Sequence, residues 1–383
     1  MKKSRMKSLD IVRGWCMIAI LFFHTQMYYF GGDVVPYTLY VPNALALFYF
    51  IAGFFAMREP LPIGTALTRV ALRLVMPYFI FTILLGITKQ LVFTNTIDVK
   101  VLASAILSGR ASWFVAALII IEVLFIFLRK VGKDNSWVIL GVGIVAVVVS
   151  YFLQRSPFET ANFAGGIPFA VPPALLGMLF YCLGFLYHRH VLPTIPQPTA
   201  VGYLLRNGDE NRIHARKALT ITYCWLIPTL FAFAAVKIIE NQMEVGFLFA
   251  SLYADPFWLF VVDLLLGTIG ISSLLILLWP DTRRRAKHRS FKSKRVRMYL
   301  FMSPAWIGQH CMVYYFFAGA VPLVAAFLLK KYFFTSDPNS TWYADLGFWL
   351  TLMAVVAVTS GIAWFIYRFM PFLLGRKVSD DDR

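Results

Sequence analysis

At 383 residues, with 59% hydrophobic and only 14% charged side chains, the chain is too apolar for a water-soluble domain of its size and reads as a polytopic membrane protein. Its formal charge of +17 does not point to nucleic acid, because Lys and Arg stand in short clusters between apolar runs and form no basic, aromatic-interleaved surface. The four cysteines, Cys16, Cys182, Cys224 and Cys311, each lie inside an apolar run without paired spacing, which argues against a disulfide framework or a zinc site and leaves them as small buried residues.

Runs long enough to cross ~30 Å of hydrocarbon occur at 9–30, 41–57, 70–93, 113–128, 136–153, 168–187, 218–238, 257–279, 304–329 and 345–369. Basic clusters alternate with them. Lys2, Lys3, Arg5 and Lys7 precede the first run, Arg58, Arg69 and Arg73 follow the second, and Arg129, Lys130 and Lys133 follow the fourth. The pattern continues with Arg189, Arg206, Arg212, Arg216 and Lys217, then with the cluster at 283–297, and ends with Arg368, Arg376, Lys377 and Arg383. Loops of the opposite side hold only Lys100, Arg110, Arg155, Lys330 and Lys331. Because Lys and Arg are retained on the inner face, this predicts an all-α protein of about ten transmembrane helices, both termini cytoplasmic, multi-pass in the cytoplasmic (inner) cell membrane. Residues 1–7 resemble a signal-peptide n-region, but no small-residue cleavage site follows, so the first run is expected to be a retained helix. Residues 1–370 then form one transmembrane domain and 371–383 a cytoplasmic tail ending in Asp380, Asp381, Asp382 and Arg383. The polar connections 188–217 and 281–298 fall on the cytoplasmic side, and the second is expected to rest on anionic lipid headgroups.

The first run carries an arginine and a histidine, Arg13 and His24, inside a membrane helix. Ionisable groups are costly in hydrocarbon, so such a pair marks a functional site unless Arg13 snorkels to headgroups and His24 bonds a backbone carbonyl in the core. Eleven residues at ~100° come to about 20° past three turns, which puts both side chains on one helix face, ~16 Å apart along the axis.

Leu9-Asp10-x-x-Arg13-Gly14, with His24 completing an R-x10-H spacing, resembles the first helix of the acyltransferase 3 family, bacterial membrane enzymes that O-acylate polysaccharides and other cell-surface molecules. Three later segments match in order. Phe48-Tyr49-Phe50-Ile51-Ala52-Gly53-Phe54-Phe55 is similar to the family's F-F-F-I-S-G-F-F, Arg73-Leu74-Val75-Met76-Pro77-Tyr78 to R-L-L-I-P-Y, and Trp113-Phe114 to the start of W-F-L. The chain departs from the family pattern in Ala52 where serine is usual, in Arg69-x-x-x-Arg73 in place of R-x-x-R, and in Ala318, which follows Ile307-Gly308-Gln309-His310-Cys311-Met312-Val313-Tyr314-Tyr315 where a histidine is often found. The chain shows no SGNH esterase-like domain after its membrane part, so the resemblance implies that the membrane domain completes the reaction.

The resemblance implies acyl transfer from a thioester to a hydroxyl. That chemistry needs a base for the hydroxyl proton and a cationic or hydrogen-bonding group to hold the donor. His24 fits the base. Arg13, nearer the cytoplasmic end, suits the phosphates of acetyl-CoA or another acyl-CoA co-substrate, since the guanidinium is a fixed fork of donors. Arg69 and Arg73 share that duty, and the pantetheine arm spans the distance from Arg13 to His24. Asp10, one turn before Arg13, is expected to orient Arg13 or Arg73 by an ion pair. Glu122 and Asp263 are the remaining deep carboxylates; each either orients His24 or lines an acceptor path, or pairs with Lys237 or a tyrosine for structure. His310 reads as structural. Tyr28, Tyr29, Tyr37, Tyr40, Trp342 and Tyr343 are expected near the outer interface as aromatic-belt anchors, or as a platform stacking on sugars. Gly31-Gly32 is a turn, not a phosphate loop, and no metal site is indicated.

The expectation is therefore a membrane O-acyltransferase with a glycan or glycolipid acceptor and membrane lipids as its surroundings. A transporter or exporter of polysaccharide or glycolipid is the rival, since Arg and His on one face also suit a substrate or proton path. A structural relative without activity is the third reading.

Overall fold

A computed structural model of the chain describes residues 7–57, 61–107, 109, 112–154, 168–191, 209–242, 257–277, 303–332, 341, 343 and 345–375, and every regular element among them is helical. Arg58, Arg110, Trp342, the connection 281–298 and the acidic tail Asp380 to Asp382 lie outside the described residues. The elements are α1 (Lys7–Phe30), α2 (Val41–Phe55), α3 (Ile63–Thr94), α4 (Val99–Leu107), α5 (Trp113–Val131), α6 (Ser136–Gln154), α7 (Val171–Val191), α8 (Asp209–Gln242), α9 (Phe257–Leu277), α10 (Pro304–Gln309), α11 (Cys311–Phe317), α12 (Ala320–Tyr332) and α13 (Leu346–Phe369).

Each apolar run is thus helical, and the structure adds what hydropathy does not carry. Among the described residues, five spans, Tyr37–Phe55, Ile63–Thr94, Ser136–Leu153, Val171–Val191 and Leu346–Phe369, are long and apolar enough to cross a membrane. The expected ten exceed this. The ninth run is broken: α11 and α12 meet at 54°, and they add a sixth crossing if taken as one span. α1 is diluted by Asp10, Arg13, His24 and Gln26, and α5 carries Glu122, Arg129 and Lys130. The short helix α4 lies between two runs and was not expected. The lipid habit is plain on α6, where Trp137, Ile144, Val145 and Phe152 are all more than half exposed, an arrangement that hydrocarbon favours and water does not.

α1 is the centre of the bundle, touching α2, α10, α11, α12 and α13. Its closest approach is to α10. A Cβ on Gly14 would overlap the carbonyl oxygen of Pro304, and a Cβ on Gly308 would overlap that of Asp10. A second reciprocal crossing joins α2 to α7, where Cβ atoms on Gly53 and Gly184 would overlap the carbonyl oxygens of Tyr181 and Phe50. Among apolar helices in lipid, association rests on such close backbone packing, since burial from water contributes little there. The motif glycines Gly14, Gly53 and Gly308 are therefore packing residues.

Irregular backbone follows from proline. α3 contains a π-helical stretch, Ala71–Val75, in which the Met76 N–H reaches the carbonyl of Ala71, five residues back. Pro77 has no N–H, and its ring would crowd the carbonyl of Arg73, so the helix widens one turn before it. Cys16 and Cys182 are buried as expected, whereas Cys224 is exposed on α8.

Replacing Gly14 or Gly308 by alanine must push α1 and α10 apart, and thermal unfolding in detergent should show a loss of about 1–3 kcal/mol for either variant. Gly361→Ala on α13, where no atom lies within 4 Å of the added Cβ, should leave the melting temperature unchanged or slightly raised.

Candidate active site

One end of the bundle gathers the basic residues. Arg13 on α1 sets its guanidinium 4.8 Å from the ring centre of Phe55, the last residue of α2. Arg129, at the end of α5, donates to the Ala56 carbonyl at 3.0 Å, and His188, at the end of α7, bonds the Phe54 carbonyl at 2.6 Å through Nδ1. α1 therefore begins where α2, α5 and α7 end, the up-and-down alternation that the basic clusters predict.

The cations at this end divide into two kinds. Arg129 is committed, since its Nε and Nη2 donate to the two oxygens of Asp134 at 2.7 and 3.0 Å and hold that carboxyl below its usual range. Arg189 donates to the Asp134 carbonyl, closing the α5–α6 turn onto α7. Arg13 is different. Its Nε is buried and makes no hydrogen bond, and no carboxylate pairs with it among the described residues. Of the two partners expected for Asp10, Arg13 and Arg73, Arg13 is not ion-paired to it. The backbone of Asp10 lies against α10, while Arg13 reaches α2. Arg69 and Arg73 are exposed on α3, Arg73 within the π stretch, and both act electrostatically on Glu122 of α5.

His24 lies toward the other end of α1, half-buried. Its ring stacks on Tyr28 one turn later, at 6.3 Å and 17°, and meets the edge of Phe23 at 5.3 Å. Its nitrogens bond no described residue, so the backbone-carbonyl bond of an ordinary core histidine is not made. The charged neighbour it feels is Lys89 on α3. This lysine was overlooked in the sequence, although an ionisable residue within the third apolar run is the same kind of signal as Arg13 and His24.

Of the two open carboxylates, Asp263 pairs with Lys237, as one of its two readings has it. Asp263 of α9 accepts from Lys237 at 2.8 Å and from Asn43 Nδ2 at 2.9 Å, while Lys237 also donates to Glu240 at 3.1 Å and to the Thr38 carbonyl at 2.7 Å, tying α2, α8 and α9 together. Glu122 faces Tyr181 of α7. His310 sits between α10 and α11, its Nδ1 bonded to the Trp306 carbonyl at 2.8 Å and its ring stacked on that indole. Two aromatics expected at the interface are core residues instead. Tyr29 is fully buried and donates to Asp345 at 3.3 Å, and Tyr37 packs on Phe23 at 5.0 Å. Gln26, not singled out in the sequence, clasps the backbone of Val35 in both directions, at 2.9 and 3.1 Å, and pins the α1–α2 loop.

A family model described as an acyltransferase domain matches residues 6–368. No curated protein and no solved structure matches the chain.

The two kinds of cation predict opposite stability effects. Arg129→Ala should lower the melting temperature in detergent and Arg69→Ala should not. The Asp134 carboxyl is held below its usual range in the folded protein, so its contribution is present at neutral pH and is lost as the pH falls below about 4. Asp134→Asn should remove that portion of the acid sensitivity in the same melting series.

Proposed function

The chain belongs to the acyltransferase 3 family, and on that premise we propose that it is an integral-membrane O-acyltransferase moving an acyl group, foremost acetyl, from cytoplasmic acyl-CoA to a hydroxyl of a cell-surface glycan or glycolipid. The observation that carries the reading is that Arg13 and His24, ~16 Å apart along one helix, both lack a hydrogen-bonding partner within the described protein. Nature rarely leaves such groups unpaired in a membrane bundle unless a ligand meets them.

In this reading the basic end faces the cytoplasm and both termini lie there, with about ten crossings in the inner cell membrane. Arg13 holds phosphate oxygens of the donor, and Arg73 and Arg69 extend that cationic surface. The pantetheine arm carries the thioester toward His24. His24 takes the proton of the acceptor hydroxyl as it attacks the thioester carbonyl, and returns it to the departing thiolate. Asp10, at the start of α1, orients Arg13 or Arg73.

The roles separate by mutation of the purified protein in lipid or detergent. His24→Ala should leave acyl-CoA affinity nearly intact while transfer falls by roughly 10²-fold or more. Arg13→Ala should first weaken donor binding, by roughly 1.5–3 kcal/mol, and Arg13→Lys should recover only part of it, since a point charge cannot reproduce the fork. Full transfer by His24→Ala would refute the assignment of the base, and an exporter would bind no acyl-CoA at all.

A further inference from the structure

Lys89 stands on α3 four turns beyond Arg73, and its stem is turned inward. Its Cε lies 3.6 Å from the position a Cβ would take on Gly319, beside the Leu85 Cδ1 at 3.4 Å, so it covers the break between α11 and α12. α1 and α3 both pack against α11 and α12, and the His24 end of α1 is tied to α12 where the Tyr29 carbonyl accepts from Lys330. A lysine near a helix end ordinarily extends its stem outward to the headgroups; this one is laid on a buried glycine instead. Among the described residues it has no hydrogen bond and no carboxylate partner. It interacts with His24 through space without touching it. The two basic groups thus belong to helices that flank α11 and α12, each with its polar end uncommitted.

We propose that Lys89 is a catalytic residue of the acyl transfer: its ammonium stabilises the oxyanion that forms beside His24. This rests on the acyltransferase reading above. As the acceptor oxygen bonds to the thioester carbon, its proton passes to His24 and the carbonyl electron pair moves onto the carbonyl oxygen next to Lys89. The pair then re-forms the carbonyl, the C–S bond breaks, and the coenzyme A thiolate takes the proton back from the imidazolium. Lys89 stays protonated throughout. A fixed cation in a low-dielectric site is suited to this, since it is oriented before charge develops.

The test compares Lys89→Met, which keeps the stem, with Lys89→Arg, which keeps the charge. Using acetyl-CoA and purified protein, Lys89→Met should retain donor affinity and lower kcat by roughly 10²-fold, and acyl-CoA hydrolysis without acceptor should fall in parallel because it passes through the same oxyanion. Lys89→Arg should restore part of both rates. Retained donor binding shows that the variant is folded. Wild-type rates in Lys89→Met, or a rise in acceptor KM alone, would overturn the inference while leaving the acyltransferase reading intact. A wild type inert toward every acyl-CoA tried would overturn that reading and this one with it.

Discussion

The structure depends on the backbone contact of α1 with α10, where Gly14 meets Pro304 and Gly308 meets Asp10 with no room for a Cβ on either side. Apolar side chains gain little by leaving lipid for one another, so two helices hold a fixed rotation and depth only where small residues let their backbones touch. Once α1 is fixed, Arg13 is fixed against Phe55, and His24, stacked on Tyr28 of the same helix, is carried with it. The matching crossing of α2 on α7 sets the far side of the same end, where Ala56 and Phe54 receive Arg129 and His188. The site is thus positioned by glycines that take no part in its chemistry.

Charge in such an interior is informative because it is expensive. Lys237 is neutralised by two carboxylates and a carbonyl, and Arg129 by a bidentate aspartate; both hold helices together. Arg13, His24 and Lys89 have no such partner among the described residues, and they occur on α1 and α3, two of the helices that carry segments resembling the family's motifs. The contrast between satisfied and unsatisfied cations distinguishes scaffold from site more sharply than burial does. The backbone irregularities coincide with it: the π stretch places Arg73, and the break at Ala318-Gly319 lies beneath Lys89. A widened or broken helix is tolerated inside a membrane bundle only where protein or a ligand path shields its free backbone groups.

Much was legible in the sequence. Apolar runs give helices because every backbone group must be bonded within its own segment, and the alternation of basic clusters gives the up-and-down order, since each crossing reverses the chain. The separation of Arg13 from His24 follows from a constant rise per residue, and the acyltransferase assignment follows from segments that match in order. These properties are local and additive along the chain. Pairing is not. Whether Asp10 meets Arg13, whether Asp263 meets Lys237 or an acceptor path, and whether Tyr29 faces lipid or Asp345 all depend on which helix lies opposite. So does the placing of His24 and Lys89, sixty-five positions apart in the chain, on helices that both pack against α11 and α12. Only the tertiary structure decided these, because helix packing is governed by side-chain and glycine complementarity between segments remote in sequence, which no periodicity within one segment encodes.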